Sequence, residues 1–576
     1  MELSEESIHD VIHPTAAFGT QKPSRAQRQN VEEDPPSWES SLLNPKNRID
    51  SLEIPDSPLW AIDGCTAYGA QLYATPLFFK SMPPLRMDVY IPEPTKLPLA
   101  VREVLEVDMF FHTRDKHRIS CLGLTRHIVR ILHFWAKQMD DPREIYHNMP
   151  FGSRILLRNL PMNIADAVVM TVPAHHLEAQ LHTLPSLQQC WAAEVKDYPP
   201  TLDLGELTYI CQIHDSVSLV MINNKLWIFK ALTSDSKYLY HELRKLLTMP
   251  AHPNVMSRPA HLITKKCSFG EKTVVLGFTL EYHVHGSLRD LIPFLHLHGR
   301  VSLQQQTKWS VQLASALVHL RTVPGMFYPD LRLDNIVLSA SDNIVMVDFE
   351  QRGVWCEFAA PEINAIEYVR MIAVDIEISP AISDKYSKTL EAMVPDWEFM
   401  KEGEDYIWPN AGYNIAWSAL TPTEQEACEV YMLGRVLWCI FEGTSAPQRA
   451  AVWLSYRFEP VVEFPGFTST PEPIRDLIKR CTSGAQPGLS SLIVREGNQL
   501  VLRRLEHTGL STPEQVQEAA KQFWSRDVEA SGHWLAARAE GIAKGDWNEN
   551  HYNRPTLKAV LAELEAYART LAAGGS

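Results

Sequence analysis

The sequence predicts a mixed α+β fold built from more than one domain, and three observations lead to this prediction. The chain has 576 residues, which at about 150 residues per domain is enough for roughly four domain-sized units. Short apolar runs typical of strands occur between about residues 205 and 350. Apolar residues at helical spacing, with recognisable helix caps, follow in the last third of the chain.

The composition argues against several classes of function. The chain carries 54 Lys and Arg against 69 Asp and Glu, a net charge of −15. Because nucleic acids and anionic membranes bind positive surfaces, we expect neither as a partner. The nine cysteines include no C-x-x-C pair, which favours free thiols in a reducing compartment. With no secretory signal and no apolar stretch of about 18 residues, the sequence predicts an intracellular protein of the cytoplasm or nucleus.

The chain divides into three regions by composition. Residues 1–50 combine acidic residues, several prolines and few aromatics, so we expect a disordered tail. Residues 51–200 contain strand-like and helix-like apolar patterns, which predict an accessory α/β region whose role no motif indicates. Residues 205–576 form the third region, where the chemically informative motifs lie.

Two short strands near residue 340 indicate a hairpin that gathers polar side chains. The run 336–338 and the run 343–350 are apolar and separated by a turn-forming segment. Such a hairpin would bring Asp330, Asn335 and Asp348 close together. Phosphoryl transfer uses a set of this kind, in which one carboxylate orients the acceptor hydroxyl while an Asn and a second carboxylate hold Mg²⁺. Asp330 is therefore the candidate base, and Asn335 and Asp348 are the candidate metal ligands.

The motifs around these residues resemble those of the protein kinase superfamily. The segment Tyr328-Pro-Asp-Leu-Arg-Leu-Asp-Asn335 is similar to the catalytic-loop pattern H-R-D-x-x-x-x-N. Asp348-Phe-Glu350 stands in the place of D-F-G, and Ala360-Pro-Glu362 reproduces A-P-E. The resemblance implies a divergent eukaryotic-type protein kinase, with a β-rich N-lobe, an α-helical C-lobe, and ATP and Mg²⁺ as cofactors.

The resemblance extends through the rest of the third region. Glu429-Val-Tyr-Met-Leu-Gly434 resembles the buried central helix of the C-lobe. Capping residues predict the ends of this helix: Thr421, Pro422, Glu424 and Gly443. Arg554 matches the late arginine that pairs with the A-P-E glutamate, here Glu362. The implied N-lobe spans about 205–282 and the C-lobe about 283–576, with insertions near 363–420 and 444–550.

Upstream motifs resemble the nucleotide-binding strands of the same family. Leu226-Trp-Ile-Phe-Lys230 is similar to the strand that ends in the phosphate-contacting lysine, and Glu242 would be its ion-pair partner on the next helix. Arg332 would place a positive charge beside the transferring phosphoryl group. The resemblance assigns four further residues to the adenine pocket: Leu280 as gatekeeper, Glu281 and His283 as backbone partners, and Val337 as the floor.

The sequence departs from the family pattern at four places. The segment His214-Asp-Ser-Val-Ser-Leu-Val220 lacks the glycines of the usual phosphate-binding loop, and its Asp215 would repel phosphate if it pointed inward. Ile228 stands where a small alanine usually covers adenine. Glu350 replaces the D-F-G glycine, and Pro329 replaces the arginine that commonly reads a phosphorylated activation loop.

Three functions remain open at the level of sequence. The first is a Mg·ATP-dependent kinase acting on protein Ser/Thr hydroxyls, and the second is a catalytically impaired pseudokinase that acts as a binding or scaffold module. The third is a small-molecule kinase similar to the choline or aminoglycoside phosphotransferases, a branch in which Asp-Phe-Glu also occurs. In the first two cases the partner is a protein.

Overall fold

The computed structural model describes residues 1, 5–18, 53–65, 71–79, 81–92, 105, 116–268, 270–393, 397, 414–447, 462–496, 499–503 and 511–574. Its secondary structure is mixed α+β, so the predicted class is confirmed. The chain forms two compact units. The sheet unit comprises residues 21–247 and 258–282, and the helical unit comprises residues 1–20, 248–257 and 283–576.

The N-terminal residues are folded, which makes the prediction of a disordered tail over 1–50 wrong for its first part. Helix α1 spans Glu5–Ile12, and a 3₁₀ turn follows at Pro14–Ala17. Ile8 and Val11 are buried within the helical unit, so this segment has the apolar contacts that a disordered chain lacks. Residues 2–4 and 19–50 of the predicted tail lie outside the described residues.

The first part of the sheet unit is a five-stranded sheet with strands in sequential order. Neighbouring strands are antiparallel except for the third and fourth, which are parallel. The strands are β1 (Trp60–Cys65), β2 (Gln71–Pro76), β3 (Met87–Tyr90), β4 (Ser153–Leu157) and β5 (Val169–Val172). The helices of this part are α2 (Lys116–Cys121), α3 (Gly123–Lys137), α4 (Pro142–Asn148), α5 (His175–Gln180) and α6 (Leu184–Cys190).

The second part of the sheet unit is a six-stranded sheet in the order β6-β10-β11-β9-β8-β7. Its strands are β6 (Thr201–Asp203), β7 (Thr208–His214), β8 (Val217–Ile222), β9 (Lys225–Lys230), β10 (His261–Lys266) and β11 (Thr273–Glu281). Helix α7 (Ser236–Thr248) follows β9. The pairs within 208–281 are antiparallel, and only short strand β6 joins the sheet in parallel.

The boundary predicted near residues 200–205 does not separate compact units, because the two sheets share partly buried hydrogen bonds. Asp63 Oδ2 on β1 accepts hydrogen bonds from the Tyr209 hydroxyl at 2.5 Å and from the Gln212 backbone N–H at 3.0 Å, both on β7. The Tyr209 N–H donates to the Met82 carbonyl at 2.8 Å. The predicted accessory region therefore folds together with most of the predicted N-lobe.

After residue 283, the first elements of the helical unit are two helices followed by a short hairpin. Helices α8 (Leu288–Leu297) and α9 (Leu303–Thr322) precede strands β12 (Ile336–Leu338) and β13 (Ile344–Met346). The two strands are antiparallel, which confirms the predicted hairpin. Residues 254–256 run alongside β13, and the Met256 N–H donates to the Met346 carbonyl at 2.8 Å. Residues 248–257 therefore belong to this unit, although the sequence motifs place them in the N-lobe.

The remaining elements of the helical unit are mostly helices. They are α10 (Pro361–Val374), α11 (Pro380–Met393), α12 (Ile415–Ser418), α13 (Pro422–Glu442), α14 (Glu472–Cys481), β14 (Ile493–Glu496), β15 (Gln499–Leu502), α15 (Pro513–Lys544) and α16 (Leu557–Gly574). Helix α13 is buried along almost its whole length and starts at Thr421 with a capping box to Glu424. It ends at Gly443, which has a φ of 76°, so both predicted ends are confirmed. None of the described helices combines the length and apolar character needed to cross a membrane.

Candidate functional site

The sheet unit contains a buried ion pair between a strand and a helix. Lys230 is the last residue of β9, and its Nζ lies 2.5 Å from Glu242 Oε2 on α7. Both side chains are buried, with 4% and 1% of their surface exposed, so the predicted pairing of these residues is confirmed. Two charges removed from water in this way depend on each other, because either one alone would be an uncompensated buried charge.

The backbone of β11 lies directly against Lys230, and a glycine permits this approach. Lys230 pairs in register with Phe278, one residue after Gly277. A Cβ at position 277 would lie 2.2 Å from the Lys230 carbonyl oxygen, which no real side chain could occupy. The sequence motifs do not indicate Gly277, because the need for a glycine here arises from the close approach of the neighbouring strand β9.

The predicted adenine-pocket residues fall in both units. In the sheet unit, Leu280 is buried and pairs with Ile228 on β9, whereas Glu281 is exposed at the end of β11. In the helical unit, the His283 carbonyl accepts the Gly286 N–H at 3.1 Å in a tight turn. That turn leads into Ser287, which forms a bridge with Val337 on β12. The structure thus brings His283 and Val337 into one local segment of the helical unit.

The segment before the hairpin is held by Tyr328, which stands in place of the catalytic-loop histidine. Its backbone N–H donates to Glu429 Oε1 on α13 at 2.9 Å. Its hydroxyl donates to the Asp348 carbonyl at 3.2 Å and to the neighbouring Val347 carbonyl. Its ring packs edge-on against Phe349, with 5.2 Å between the ring centroids. One buried tyrosine therefore connects the central helix to the residues on both sides of the metal-ligand candidate Asp348.

Asp330 and Asn335 are hydrogen-bonded to each other. Asn335 Nδ2 donates to the Asp330 backbone carbonyl and to its Oδ2, both at 3.0 Å. The turn that makes this possible is the 3₁₀ segment Leu333–Asn335, just before β12. Because the amide nitrogen faces Asp330, the amide oxygen of Asn335 points away from it and is the atom a metal ion would use.

The environment of Asp330 adjusts its acidity. Burial raises the pKa of this carboxyl to about 6, with a further rise from the Asp348 charge, against the opposing effects of the Arg332 guanidinium and the Asn335 hydrogen bond. Arg332 Nε lies 3.3 Å from Asp330 Oδ2, and its guanidinium stacks 5.1 Å from the centre of the Trp355 ring. A carboxylate with a pKa slightly below neutrality is suited to act as a general base.

Asp348 follows the hairpin in a strained backbone conformation. The Val347 N–H donates to the Asn335 carbonyl at 2.9 Å, which places the next residue, Asp348, beside the 330–335 turn. Asp348 has a φ of 65°, a left-handed conformation that costs an L-residue about 1 kcal/mol. Strain of this kind concentrates at functional sites.

Glu350, which replaces the D-F-G glycine, does not face solvent. It is buried and forms an ion pair with Arg352, with 3.0 Å between Oε2 and Nε. Its carboxylate oxygen lies within 4.8 Å of an Asp348 carboxylate oxygen. The departure at this position therefore adds a buried acid beside the half-buried Asp348.

The A-P-E glutamate forms the pair that the sequence predicts. Arg554 donates to both carboxylate oxygens of Glu362, at 2.7 and 3.1 Å, and both side chains are buried. The same guanidinium also donates to the Ala427 carbonyl on α13 at 3.1 Å. This predicted ion pair is confirmed, and it fixes the start of α10 to the central helix.

The oxygen atoms of Asp348 and Asn335 are chemically suited to Mg²⁺, which prefers carboxylate and carbonyl ligands. The helical unit therefore supplies a candidate base and two candidate metal ligands around one hairpin, and the sheet unit supplies a buried lysine paired with a glutamate. Comparison with protein-family models and with curated proteins finds no match for this chain.

Proposed function

We propose that the chain is an ATP- and Mg²⁺-dependent phosphotransferase of the protein kinase type, acting on serine or threonine hydroxyls of a protein substrate. The observation that carries the proposal is the arrangement of Asp330, Asn335 and Asp348 around the β12–β13 hairpin. Phosphoryl transfer uses a base beside an Asn and an Asp that hold the metal ion, which is the set gathered here. In this proposal the sheet unit and the helical unit correspond to the two lobes of a kinase-like fold.

Each residue has a defined part in the proposed reaction. Asp330 orients the acceptor hydroxyl and accepts its proton, and Arg332 stabilises the negative charge of the transferring phosphoryl group. Asn335 and Asp348 would hold the metal ion, which would supply positive charge to neutralise the phosphates. Lys230, oriented by Glu242, binds the phosphates of the nucleotide.

The Glu362–Arg554 pair favours a protein substrate over a small molecule. The sequence resemblance links this pair and the buried helix α13 to the protein-kinase branch, whereas Asp-Phe-Glu alone occurs in the small-molecule branch. A substrate panel that compares proteins with amino alcohols distinguishes the two. Phosphate transfer to amino alcohols alone would assign the chain to the small-molecule kinases.

A second candidate function is that of a pseudokinase, and specific residues favour it. Ile228, beside Leu280, narrows the space where adenine would bind. The β7–β8 hairpin has Asp215 and Ser216 at its two-residue tip instead of glycines. Both features would weaken nucleotide binding, and a chain that binds no nucleotide would act through protein contacts alone.

The test is a thermal-shift titration with Mg·ATP, because a ligand that binds only the folded state raises the apparent melting temperature. We expect a Mg²⁺-dependent rise in the wild type that is lost in Lys230→Met and Asp348→Asn. Matched controls are Lys225→Met, at the exposed start of the same strand, and Asp342→Asn, at the exposed hairpin turn. Both controls should keep the rise.

Asp330→Asn separates binding from chemistry. This variant should bind Mg·ATP as the wild type does but transfer phosphate about 10²- to 10⁴-fold more slowly, the usual contribution of a general base. A wild type that shows no shift with millimolar Mg·ATP while remaining folded would overturn the phosphotransferase proposal and favour the pseudokinase.

A further inference from the structure

The tip of the β7–β8 hairpin is held by an arginine from the other sheet of the same unit. Arg86, just before β3, places Nη2 2.8 Å from Asp215 Oδ1. The same guanidinium donates through Nη1 to the Asp215 backbone carbonyl. Only 5% of the Arg86 side chain is exposed, whereas 42% of the Asp215 side chain is exposed. A buried cation therefore fixes an aspartate that stands partly in solvent.

Arg86 itself is fixed from several sides. Its Nε lies 2.5 Å from Asp88 Oδ1 and its Nη2 lies 2.9 Å from Asp88 Oδ2, a bidentate pair. Its guanidinium stacks 4.7 Å from the centre of the Tyr73 ring, and Gln71 Nε2 donates to Asp88 at 2.5 Å. Arg86 also has a φ of 45°, a conformation that persists only where the surroundings impose it.

The hairpin tip is further restrained through its backbone carbonyls. Gln212 Nε2 donates to the His214 carbonyl at 2.5 Å and to the Asp215 carbonyl at 3.3 Å. The Ser218 hydroxyl donates to Gln212 Oε1 at 2.7 Å and thereby orients this amide. The tip is thus immobilised by side chains, whereas a glycine-rich loop remains free to adopt several conformations.

The charge of Asp215 gives this restraint a consequence for nucleotide binding. The β7–β8 hairpin occupies the position of the phosphate-binding loop in the proposed function. An unrestrained carboxylate at the tip of such a loop would repel the phosphates. The ion pair with Arg86 compensates the charge and holds the carboxylate toward the five-stranded sheet.

We propose that Arg86 is a positioning residue for nucleotide binding, which keeps the Asp215 carboxylate away from the phosphates so that a glycine-free hairpin can accept them. This inference rests on the proposed function. It also gives the accessory region a role, because Arg86, Asp88 and Tyr73 all come from residues 51–200.

The test measures the affinity of the full chain for Mg·ATP, Mg·ADP and adenosine by calorimetric titration. The main variant is Arg86→Gln with Asp88→Asn, which replaces the buried charged pair by a neutral one and avoids a lone buried charge. We expect Mg·ATP to bind about tenfold more weakly, Mg·ADP to be affected less, and adenosine to bind as in the wild type. Adding Asp215→Asn should restore Mg·ATP affinity to within about threefold of the wild type.

Asp215→Asn alone provides a second variant that does not disturb the buried pair. It should bind Mg·ATP at least as tightly as the wild type, because it removes the repelling charge. Equal weakening of all three ligands, or no recovery on adding Asp215→Asn, would show that Arg86 acts only on folding and would overturn the inference. Unchanged Mg·ATP affinity in the main variant would overturn it too, whereas a wild type that binds no Mg·ATP would overturn the proposed function itself.

Discussion

Glu429 is a buried acid that holds the segment before the β12–β13 hairpin. Burial raises the pKa of this carboxyl to about 8, against the opposing hydrogen bond from the Tyr328 N–H and the Arg321 charge. Its Oε1 accepts that N–H at 2.9 Å, and its Oε2 has no hydrogen-bond partner among the described residues. A neutral acid satisfies this position better than a carboxylate, because an ion with one unpaired oxygen would be costly to bury.

This raised pKa predicts a pH dependence of stability. Between about pH 4.5 and 8 the folded chain keeps a proton on Glu429 that the unfolded chain releases, so stability falls as pH rises. The loss is at most about 1.4 kcal/mol per pH unit. Glu429→Gln keeps the acceptor for the Tyr328 N–H and removes the titration.

The measurement is the free energy of unfolding by denaturant at pH 5.5 and pH 8. Glu429→Gln should gain stability relative to the wild type from the lower pH to the higher pH, while the difference between the exposed Glu472→Gln and the wild type should stay the same. A variant that tracks the wild type at both pH values would contradict the assignment of a protonated Glu429.

Gly277 gives a second prediction for a single residue. Gly277→Ala would place a methyl group 2.2 Å from the Lys230 carbonyl oxygen and 2.8 Å from the Phe229 ring, so β11 must move away from β9. We expect a loss of about 1–3 kcal/mol in unfolding free energy, as for other overpacked sites. The control is Gly353→Ala, where no atom lies within 4 Å and little change is expected. Equal stability of the two variants would show that the strands tolerate the methyl group.

The single residues that the sequence could predict are those whose partners lie in a recognisable motif. The Lys230–Glu242 and Glu362–Arg554 pairs are implied by the resemblance to protein kinase motifs, and the structure contains both. Arg86 has no such signal, because its partner Asp215 lies 129 positions away in the sequence. Contacts between segments without a shared motif depend on how two sheets meet, which no local pattern records.

At the scale of elements, helix α7 is unusual because its polar face is buried as well as its apolar face. Lys237, His241 and Arg244 are buried together with the leucines of the helix. Arg244 pairs with Glu194 through two bonds of 2.8 and 2.6 Å. The accessory region therefore covers the helix that carries Glu242, and it restrains that helix from the side opposite the Lys230 pair.

Tyr240 on α7 contributes to this restraint, and replacing it should change the stability of the helix. Its buried hydroxyl accepts the His182 N–H and donates to the Val275 carbonyl, both at 2.8 Å. Tyr240→Phe leaves both groups without this partner, at a cost of about 1–3 kcal/mol, and should speed amide hydrogen exchange in α7. The control is Tyr198→Phe, because the Tyr198 hydroxyl is buried without a partner among the described residues. Faster exchange in both variants would mean that the loss is not specific to this contact.

Local signals identify some elements and conceal others. Helix α13 begins and ends where its capping residues predict, because caps act within a few residues of the chain. Helix α1 escapes prediction since its eight residues lie in a segment whose average composition is polar. The average composition of residues 1–50 does not reveal that Ile8 and Val11 are buried. Both pack against elements that lie more than 480 positions later in the sequence.

At the scale of the whole molecule, the compact units do not follow the divisions of the sequence. Residues 248–257 belong to the helical unit, although the segments on both sides of them belong to the sheet unit. Residues 1–20 also belong to the helical unit, although most of it lies after residue 282. Composition changes mark neither transition, because each depends on hydrogen bonds to distant strands. The sequence therefore indicates the kinds of element present but not how the chain distributes them between units.

The N-terminal segment predicts an effect on the stability of the helical unit. Val11 is fully buried, and its carbonyl accepts the Trp524 Nε1–H on α15 at 2.7 Å. Val11→Asp would bury a charge without a partner and should cost about 2 kcal/mol or more. The same substitution at Val374, which is 48% exposed, should change stability by less than about 0.5 kcal/mol. Equal melting temperatures for the two variants would show that α1 does not contribute to the unit.

The contact between Val11 and Trp524 spans 513 positions, which sets an order of events during synthesis. A ribosome adds about 5–20 residues per second, so Val11 leaves it roughly 25–100 s before its partner has been made. Helix α1 thus reaches its final place only after α15 has been made. Until α15 is complete, its contacts with the apolar side of α1 cannot form, and a nascent chain that stops short of residue 524 leaves that side without them.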